Sequence, residues 1–180
     1  AARTMPRAAT PHTWVAIDFE TACTDLGSAC AVAVVRFAGA RRRGQSWLIR
    51  PPTRRFTFSD LHGIRWRDVA GEPSFAERWG ELRRMLAGAE FIAAHNAAFD
   101  RGVMGACCAA AGVRMPGAPW LCTVKLARRA WGVYPTKLPH VARFLGVELD
   151  HHDPASDASV CAQAVVRALR EGRSLGVALI

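Results

Sequence analysis

Residues 13–21 read Thr13-Trp14-Val15-Ala16-Ile17-Asp18-Phe19-Glu20-Thr21, and this stretch decides the architecture. From residue 13 to residue 19 it is β-branched, aromatic and almost continuously apolar. That pattern belongs to a strand buried on both faces of a sheet, so it is the predicted central strand. Residues two apart in a strand project to one face, so Asp18 and Glu20 at its end can share one cation.

Working outward, residues 29–37 and 42–49 read as second and third strands joined by a hairpin turn over residues 38–41, which makes the first third an antiparallel meander. Pro51 and Pro52 end it, and the segment to Gly71 has no sustained period, predicting a loop with one short helical turn. Ser74 is the expected N-cap of a helix to about residue 87, with Phe75, Trp79, Leu82 and Leu86 on the face that packs on the sheet. Residues 90–94 form a short strand leading directly into a helix over 97–111, where Phe99, Val103 and Cys107 are four apart. A strand over 119–123, a helix over 124–131 and a helix over 138–145 follow. A last helix over about 154–171 has Val160, Ala164 and Ala168 as its apolar stripe and Arg167 and Arg170 pointing outward. This order gives an α/β class, with a mixed β-sheet of antiparallel meander plus parallel strands flanked by α-helices, and leaves the strand order open.

At 180 residues with 51% hydrophobic content the chain fits one domain. Residues 1–12 are expected to be a loose lead-in, 13–172 the domain and 173–180 a tail, whose apolar end is an edge strand, a docking peptide or the start of further protein. No stretch approaches the roughly 18 consecutive apolar residues of a membrane span, so no membrane is expected. The formal net charge is +9, carried almost wholly by arginine, since Lys125 and Lys137 are the only lysines among 24 basic residues. Guanidinium forks suit phosphate, which favours a polyanionic partner, although base composition of the gene produces the same arginine content. Six cysteines show no C-x-x-C pair and no zinc-finger spacing, which disfavours structural zinc and fits reduced thiols in a cytoplasmic protein.

Two further carboxylates fall at element ends. Asp100 stands in His95-Asn96-Ala97-Ala98-Phe99-Asp100, in the first turn of a helix after a strand, and Asp157 opens the last helix. Each is weak alone: Asp100 serves equally as a helix-terminus charge, and His151-His152-Asp153-Pro154 as a turn and cap. Together with Asp18 and Glu20 they make the oxygen set that hard cations such as Mg²⁺ and Mn²⁺ prefer, and such a cluster repels itself without one. Two cations about 3.5–4 Å apart stabilise the attacking and leaving oxygens of phosphodiester cleavage. His152, five residues before Asp157, is placed to act as general base from a loop. Arginines at 41–43, 54–55, 65–67 and 128–129, with Phe56, Phe58 and Trp66 interleaved, are candidate contacts to a phosphate backbone and its bases, the plainer reading being solvated arginines and a core tryptophan.

Taken together, the motifs resemble the DEDDh exonucleases of the ribonuclease-H-like superfamily, which includes polymerase III epsilon-type proofreading subunits and ribonuclease T. D-x-E-T matches Asp18 to Thr21, H-N-x-x-F-D matches His95 to Asp100, and H-x-x-x-x-D matches His152 to Asp157. Similarity extends to Leu61-His62-Gly63-Ile64, to residues 126–131 and to residues 137–147, so it spans about residues 13–170. The resemblance implies a ribonuclease-H-like sheet and a 3′→5′ exonuclease domain over 13–172, acting on nucleic acid with a free 3′ end. Single-stranded DNA is favoured, RNA is an alternative substrate, and a DNA polymerase is a candidate partner. It implies two divalent cations, Mg²⁺ or Mn²⁺, held by Asp18, Glu20, Asp100 and Asp157, and His152 as base with His151 its rival. It also implies that Thr21, Ala22, His95, Asn96 and Phe99 shape the binding of the terminal nucleotide, His95 and Asn96 chiefly as supports. Many relatives carry Thr-Thr-Gly or Thr-Gly after the glutamate, whereas this chain has Thr21-Ala22-Cys23, so the close backbone approach that glycine permits is not assumed. A domain of this fold that binds nucleic acid or a polymerase without cutting is the competing class. Proofreading, repair and RNA processing stay equally open.

Overall fold

The computed structural model describes residues 12–180. The lead-in expected over residues 1–12 therefore falls, up to residue 11, outside the described residues.

β1 (Thr13–Thr21), β2 (Ala29–Ala38) and β3 (Arg41–Leu48) form the meander, β1 with β2 and β2 with β3 antiparallel. The turn is tighter than the sequence suggested: only residues 39 and 40 lie between the strands, and Gly39 at φ 59° supplies the left-handed conformation that two-residue hairpins demand. Two short helices, α1 (Ser59–His62) and α2 (Trp66–Val69), stand where one helical turn was expected. α3 (Phe75–Leu86) starts from a capping box in which Ser74 and Glu77 satisfy each other's backbone N–H groups. Its Phe75, Leu82 and Leu86 are buried as their spacing predicts, joined by Met85.

β4 (Ile92–Ala94) and β5 (Trp120–Cys122) add parallel strands, giving the sheet order β3-β2-β1-β4-β5 with β1 in the middle. α4 (Ala97–Ala110) runs from β4, and α5 (Thr123–Trp131), α6 (Leu138–Leu145) and α7 (Pro154–Arg170) follow β5. One face of β1 carries Val15, Ile17 and Phe19 into a core shared with α3 and α4. The other carries Trp14 and Ala16 toward Ala158, Cys161, Ala162, Val165 and Ala168 of α7. Arg167 differs from its expected outward pose, its guanidinium lying over the rings of Phe144 and Trp131.

The apolar tail completes the far edge: Leu179 bridges antiparallel to Leu121 and the Ile180 N–H donates to the Trp120 carbonyl at 2.9 Å. The edge pairing expected of the tail is present as a single bridge, not a strand, since Gly176–Ala178 form a 3-10 turn before it. All six cysteines are free and buried. Among the described residues no helix is long and apolar enough to cross a membrane.

Candidate active site

Asp18 and Glu20 share the α7 face of β1, as their spacing requires, and their antiparallel partners on β2 are Ala33 and Ala31. Methyl groups opposite two carboxylates leave space above the strand end. Asp157 enters that space from the first turn of α7. Asp153 caps this helix by accepting the Ser156 N–H at 2.9 Å, and Pro154 opens it. One oxygen from each of Asp18, Glu20 and Asp157 lies within 4.8 Å of the others. Asp100, in the first turn of α4, accepts the Phe19 N–H at 3.0 Å and so ties α4 to β1. It borders this triad without belonging to the 4.8 Å group. Asp100, Asp157 and Glu20 are only 2%, 4% and 8% exposed, so solvent screens their repulsion weakly.

The consequence is electrostatic tension. Burial pushes Asp18 well above the carboxylate range, and Asp100, Asp157, Glu20 and Asp153 push it further. Burial, then Asp157 and Asp153, raise Glu20 to about 7. Burial raises Asp100 to about 8, with Glu20 and Asp157 adding and the Phe19 N–H opposing. In Asp157 burial outweighs the lowering effect of the neighbouring His151. Asp18 Oδ2 is also buried with no hydrogen-bond partner. Buried polar atoms rarely stay unsatisfied, and hard oxygen donors gathered this way suit a divalent cation.

His151 and His152 reach the same carboxylate by different routes. His151 Nδ1 lies 3.1 Å from Asp157 Oδ2, whereas His152 donates its backbone N–H to that oxygen at 3.3 Å. Left-handed backbone at His152, φ 73°, brings the consecutive rings side by side with centroids 3.8 Å apart. A ligand atom from each ring and from Asp157 lie within 4.8 Å of one another. Burial, then His151 and His62, lower the His152 pKa, favouring the neutral ring.

His95 bonds the Thr123 hydroxyl at 3.0 Å and the Thr136 carbonyl at 2.9 Å, and burial lowers it to about 4, so it braces β4 against the segment before α6. Asn96 precedes α4 in left-handed backbone, φ 67°, without a side-chain cap bond. Phe99 is 38% exposed. Thr21 and Ala22 are buried, and the Ala22 N–H donates to the Ser28 carbonyl while its own carbonyl accepts from Thr57 and Phe58. That backbone is thus engaged within the chain. Of the arginine segments, Arg128 bonds Thr136 Oγ1 and Arg129 the Val177 carbonyl, while Arg54 lies over the half-buried Trp66 ring.

Sequence reading assigned no site role to His62. Its Nδ1 accepts the Ile64 N–H at 3.1 Å, which makes Nε2 the donor to the Thr21 carbonyl at 3.1 Å. With Leu61, Ile64, His151 and His152 it lines a cleft of about 480 Å³. The available signal was Gly63 at φ 75°, the glycine of Leu61-His62-Gly63-Ile64, whose conformation ends α1 at His62.

A mixed sheet whose central strand ends in two carboxylates, met by a third from the last helix, is a ribonuclease-H-like arrangement. The chain belongs to the exonuclease family: the family model described as Exonuclease (RNase_T) matches residues 15–165. Exodeoxyribonuclease 10 of Escherichia coli (strain K12) is 38% identical over 85 residues, 44% of this chain and 34% of that protein. The match thus spans about a third of the curated relative. A solved structure of exonuclease X in complex with 5′ overhanging duplex DNA has a TM-score of 0.69 at 23% identity, covering 92% of this chain and 96% of that one. The nuclease domain of 3′hExo, a DEDDh family member, bound to rAMP, has a TM-score of 0.72 at 20% identity, covering 94% and 96%. These structures share the fold, as expected from the strand and helix order.

Proposed function

We propose that residues 13–172 form a metal-dependent 3′→5′ exonuclease domain that releases nucleoside 5′-monophosphates, with single-stranded DNA the favoured substrate. The observation that carries this reading is the approach of Asp18, Glu20 and Asp157 oxygens within 4.8 Å at a buried strand end. Family membership supports it, and the two similar structures with DNA or a nucleotide support a nucleic-acid substrate.

Asp18, Glu20 and Asp157, with Asp100 beside them, would hold two divalent cations, Mg²⁺ or Mn²⁺. When bound, these supply charge neutralisation for the attacking and leaving oxygens of the scissile phosphate. His152, kept neutral by burial and by its imidazole neighbours, accepts a proton from water at a ring nitrogen. Asp100 fixes the end of β1 through the Phe19 N–H, and His62 fixes the Thr21 carbonyl. Phe99, exposed at the start of α4, is available to the terminal nucleotide. Thr21 and Ala22 contribute shape, their backbone being engaged elsewhere. Six free, buried thiols support a reducing, cytoplasmic setting.

A 5′-labelled oligonucleotide with Mg²⁺ or Mn²⁺ should give a descending ladder, and Asp18→Ala should abolish it without unfolding the chain. Matched DNA and RNA oligomers separate the deoxyribonuclease reading from an exoribonuclease of the same fold. Salt-sensitive binding with no ladder under any divalent cation would instead support the non-cleaving module.

A further inference from the structure

A second charged cleft lies on the opposite face of the sheet from the carboxylates. It has a volume of about 550 Å³ and is lined by Arg36, Arg41, Arg43 and Arg84, with Gln45 and Glu81 beside them. The placement follows from strand alternation. Arg36 on β2 is the partner of Val15, which points into the α3 side of the core, whereas Asp18 and Glu20 face α7. On β3, Arg43 is the partner of Arg36 and Arg41 of Ala38, so both lie on the α3 face. Arg42 between them turns to the other face and bonds Ser159 of α7.

Two observations make this cleft a site. The register sets Arg36 directly opposite Arg43, and like charges opposite one another destabilise a strand pair. Among the described residues no ion pair offsets the repulsion. Among the described residues none of the four arginines has a carboxylate within ion-pair distance, Glu81 is already paired with Arg78 at 3.0 Å, and residues 1–11 contain no Asp or Glu. The cleft is also partly preorganised: Arg36 Nη1 donates to the Met85 carbonyl at 2.7 Å, which anchors its guanidinium between β2 and α3. Arg41 and Arg43, two residues apart on one strand face, are spaced by about 6.7 Å. They form a short row of forks suited to a row of phosphates.

We propose that this cleft is a second nucleic-acid contact, taking the phosphate backbone of a strand at a segment remote from the end in the active site. The remoteness rests on the exonuclease reading above, whereas the phosphate binding does not. β3 is the edge of the sheet, so a strand passes from one face to the other around it without crossing a paired neighbour.

The test is binding without cleavage. In EDTA, the anisotropy of a labelled 20-nucleotide single strand is titrated against the wild-type chain, Arg41→Ala/Arg43→Ala and Arg41→Lys/Arg43→Lys across a salt series. Each lost phosphate contact on a single strand removes about 0.7 from the slope of log affinity against log salt. The double alanine variant should therefore lose about 1.4 in slope and on the order of tenfold in affinity at 0.1 M salt. The lysine variant should keep the slope. A trinucleotide, too short to reach both faces, should be bound equally by all three proteins in EDTA and, in a separate assay with Mg²⁺ or Mn²⁺, hydrolysed equally by them. Unchanged slope and affinity in the alanine variant would overturn the proposal, as would an equal loss on the trinucleotide. Sub-millimolar binding of inorganic phosphate that the alanine variant loses, while the 20-mer is unaffected, would also overturn it, assigning the cleft to free phosphate. A protein that shows the expected binding losses but never cuts would refute the exonuclease reading and leave this cleft standing.

Discussion

Removing divalent cations should make the folded chain progressively less stable between pH 7 and pH 8, and restoring them should abolish that slope. The perturbation is a pH series in EDTA and in saturating Mg²⁺. Without metal, Glu20 titrates at about 7 and Asp100 at about 8, both far above ordinary carboxylates. A carboxylate whose folded pKa is raised stabilises fully below its unfolded value and loses that contribution as pH rises through the folded value. His95 acts in the opposite sense, because burial lowers it to about 4; its stability is present above the ordinary imidazole value of 6.5 and lost as pH falls. His62 and His152 are lowered in the same direction. Above pH 7 the three imidazoles are mostly neutral in both states and offset only part of the carboxylate slope, while the raised thiols of Cys30, Cys107, Cys108 and Cys161 add to it weakly near pH 8. There Glu20 and Asp100 together keep on average about one proton that the unfolded chain has released, worth about 1.4 kcal/mol per pH unit, with Asp18 shifted in the same direction and the imidazoles opposing. For a chain of this size that is a fall in Tm of about 3–6 °C. Mg²⁺ replaces those protons, so the slope should vanish and affinity for the cation should rise with pH. Differential scanning fluorimetry at 0.5 pH steps reads both. A metal-free Tm that is level or rising from pH 7 to 8, or an identical slope with and without Mg²⁺, would refute the reasoning.

His152→Ala should lower kcat by about 100-fold or more with a small effect on KM, and His151→Ala should cost less; single-turnover rates decide, and the reverse order would assign the base to His151. His95→Ala leaves the Thr136 carbonyl without its donor and the Thr123 hydroxyl with only its 3.4 Å bond to the Ala94 carbonyl, and should destabilise by about 2–3 kcal/mol, read as a lower urea midpoint. Deleting residues 176–180 removes the buried Ala178 and the Ile180 to Trp120 bond and uncovers the β5 edge. Tm should fall by several degrees and concentration-dependent association should appear in sedimentation.

Much of the site was legible because its residues sit where local rules are strict. Asp18 and Glu20 obey the two-residue period of a strand, and Asp157 follows a proline and an N-cap aspartate at a helix start. The apolar spacing of α3 likewise named the face that became core, whereas of the stripe read on α7 only Ala168 joins the sheet-facing cluster: Ala164 is buried against α5 and α6 and Val160 against α6, and Ala158, Cys161, Ala162 and Val165 face the sheet. What escaped was set by tertiary partners. The strand order depends on β4 entering beside β1, and no local pattern encodes that choice. His62 matters because α1 folds back onto Thr21, 41 residues earlier in sequence. Spacing to Asp157 alone chose His152 over His151, and the left-handed backbone at His152 that sets the two rings side by side is one that a non-glycine residue does not advertise. Arg41 to Arg43 read as one basic run, yet strand alternation sends Arg42 to α7 and its neighbours to the far cleft.

The most direct test of the carboxylate cluster is anomalous diffraction from crystals soaked in Mn²⁺. Two peaks should appear, coordinated by Asp18, Glu20 and Asp157 with Asp100 beside them, and both should disappear in Asp18→Ala. Absence of density at these oxygens at saturating Mn²⁺, or a lone peak held by His151 and His152, would contradict the account.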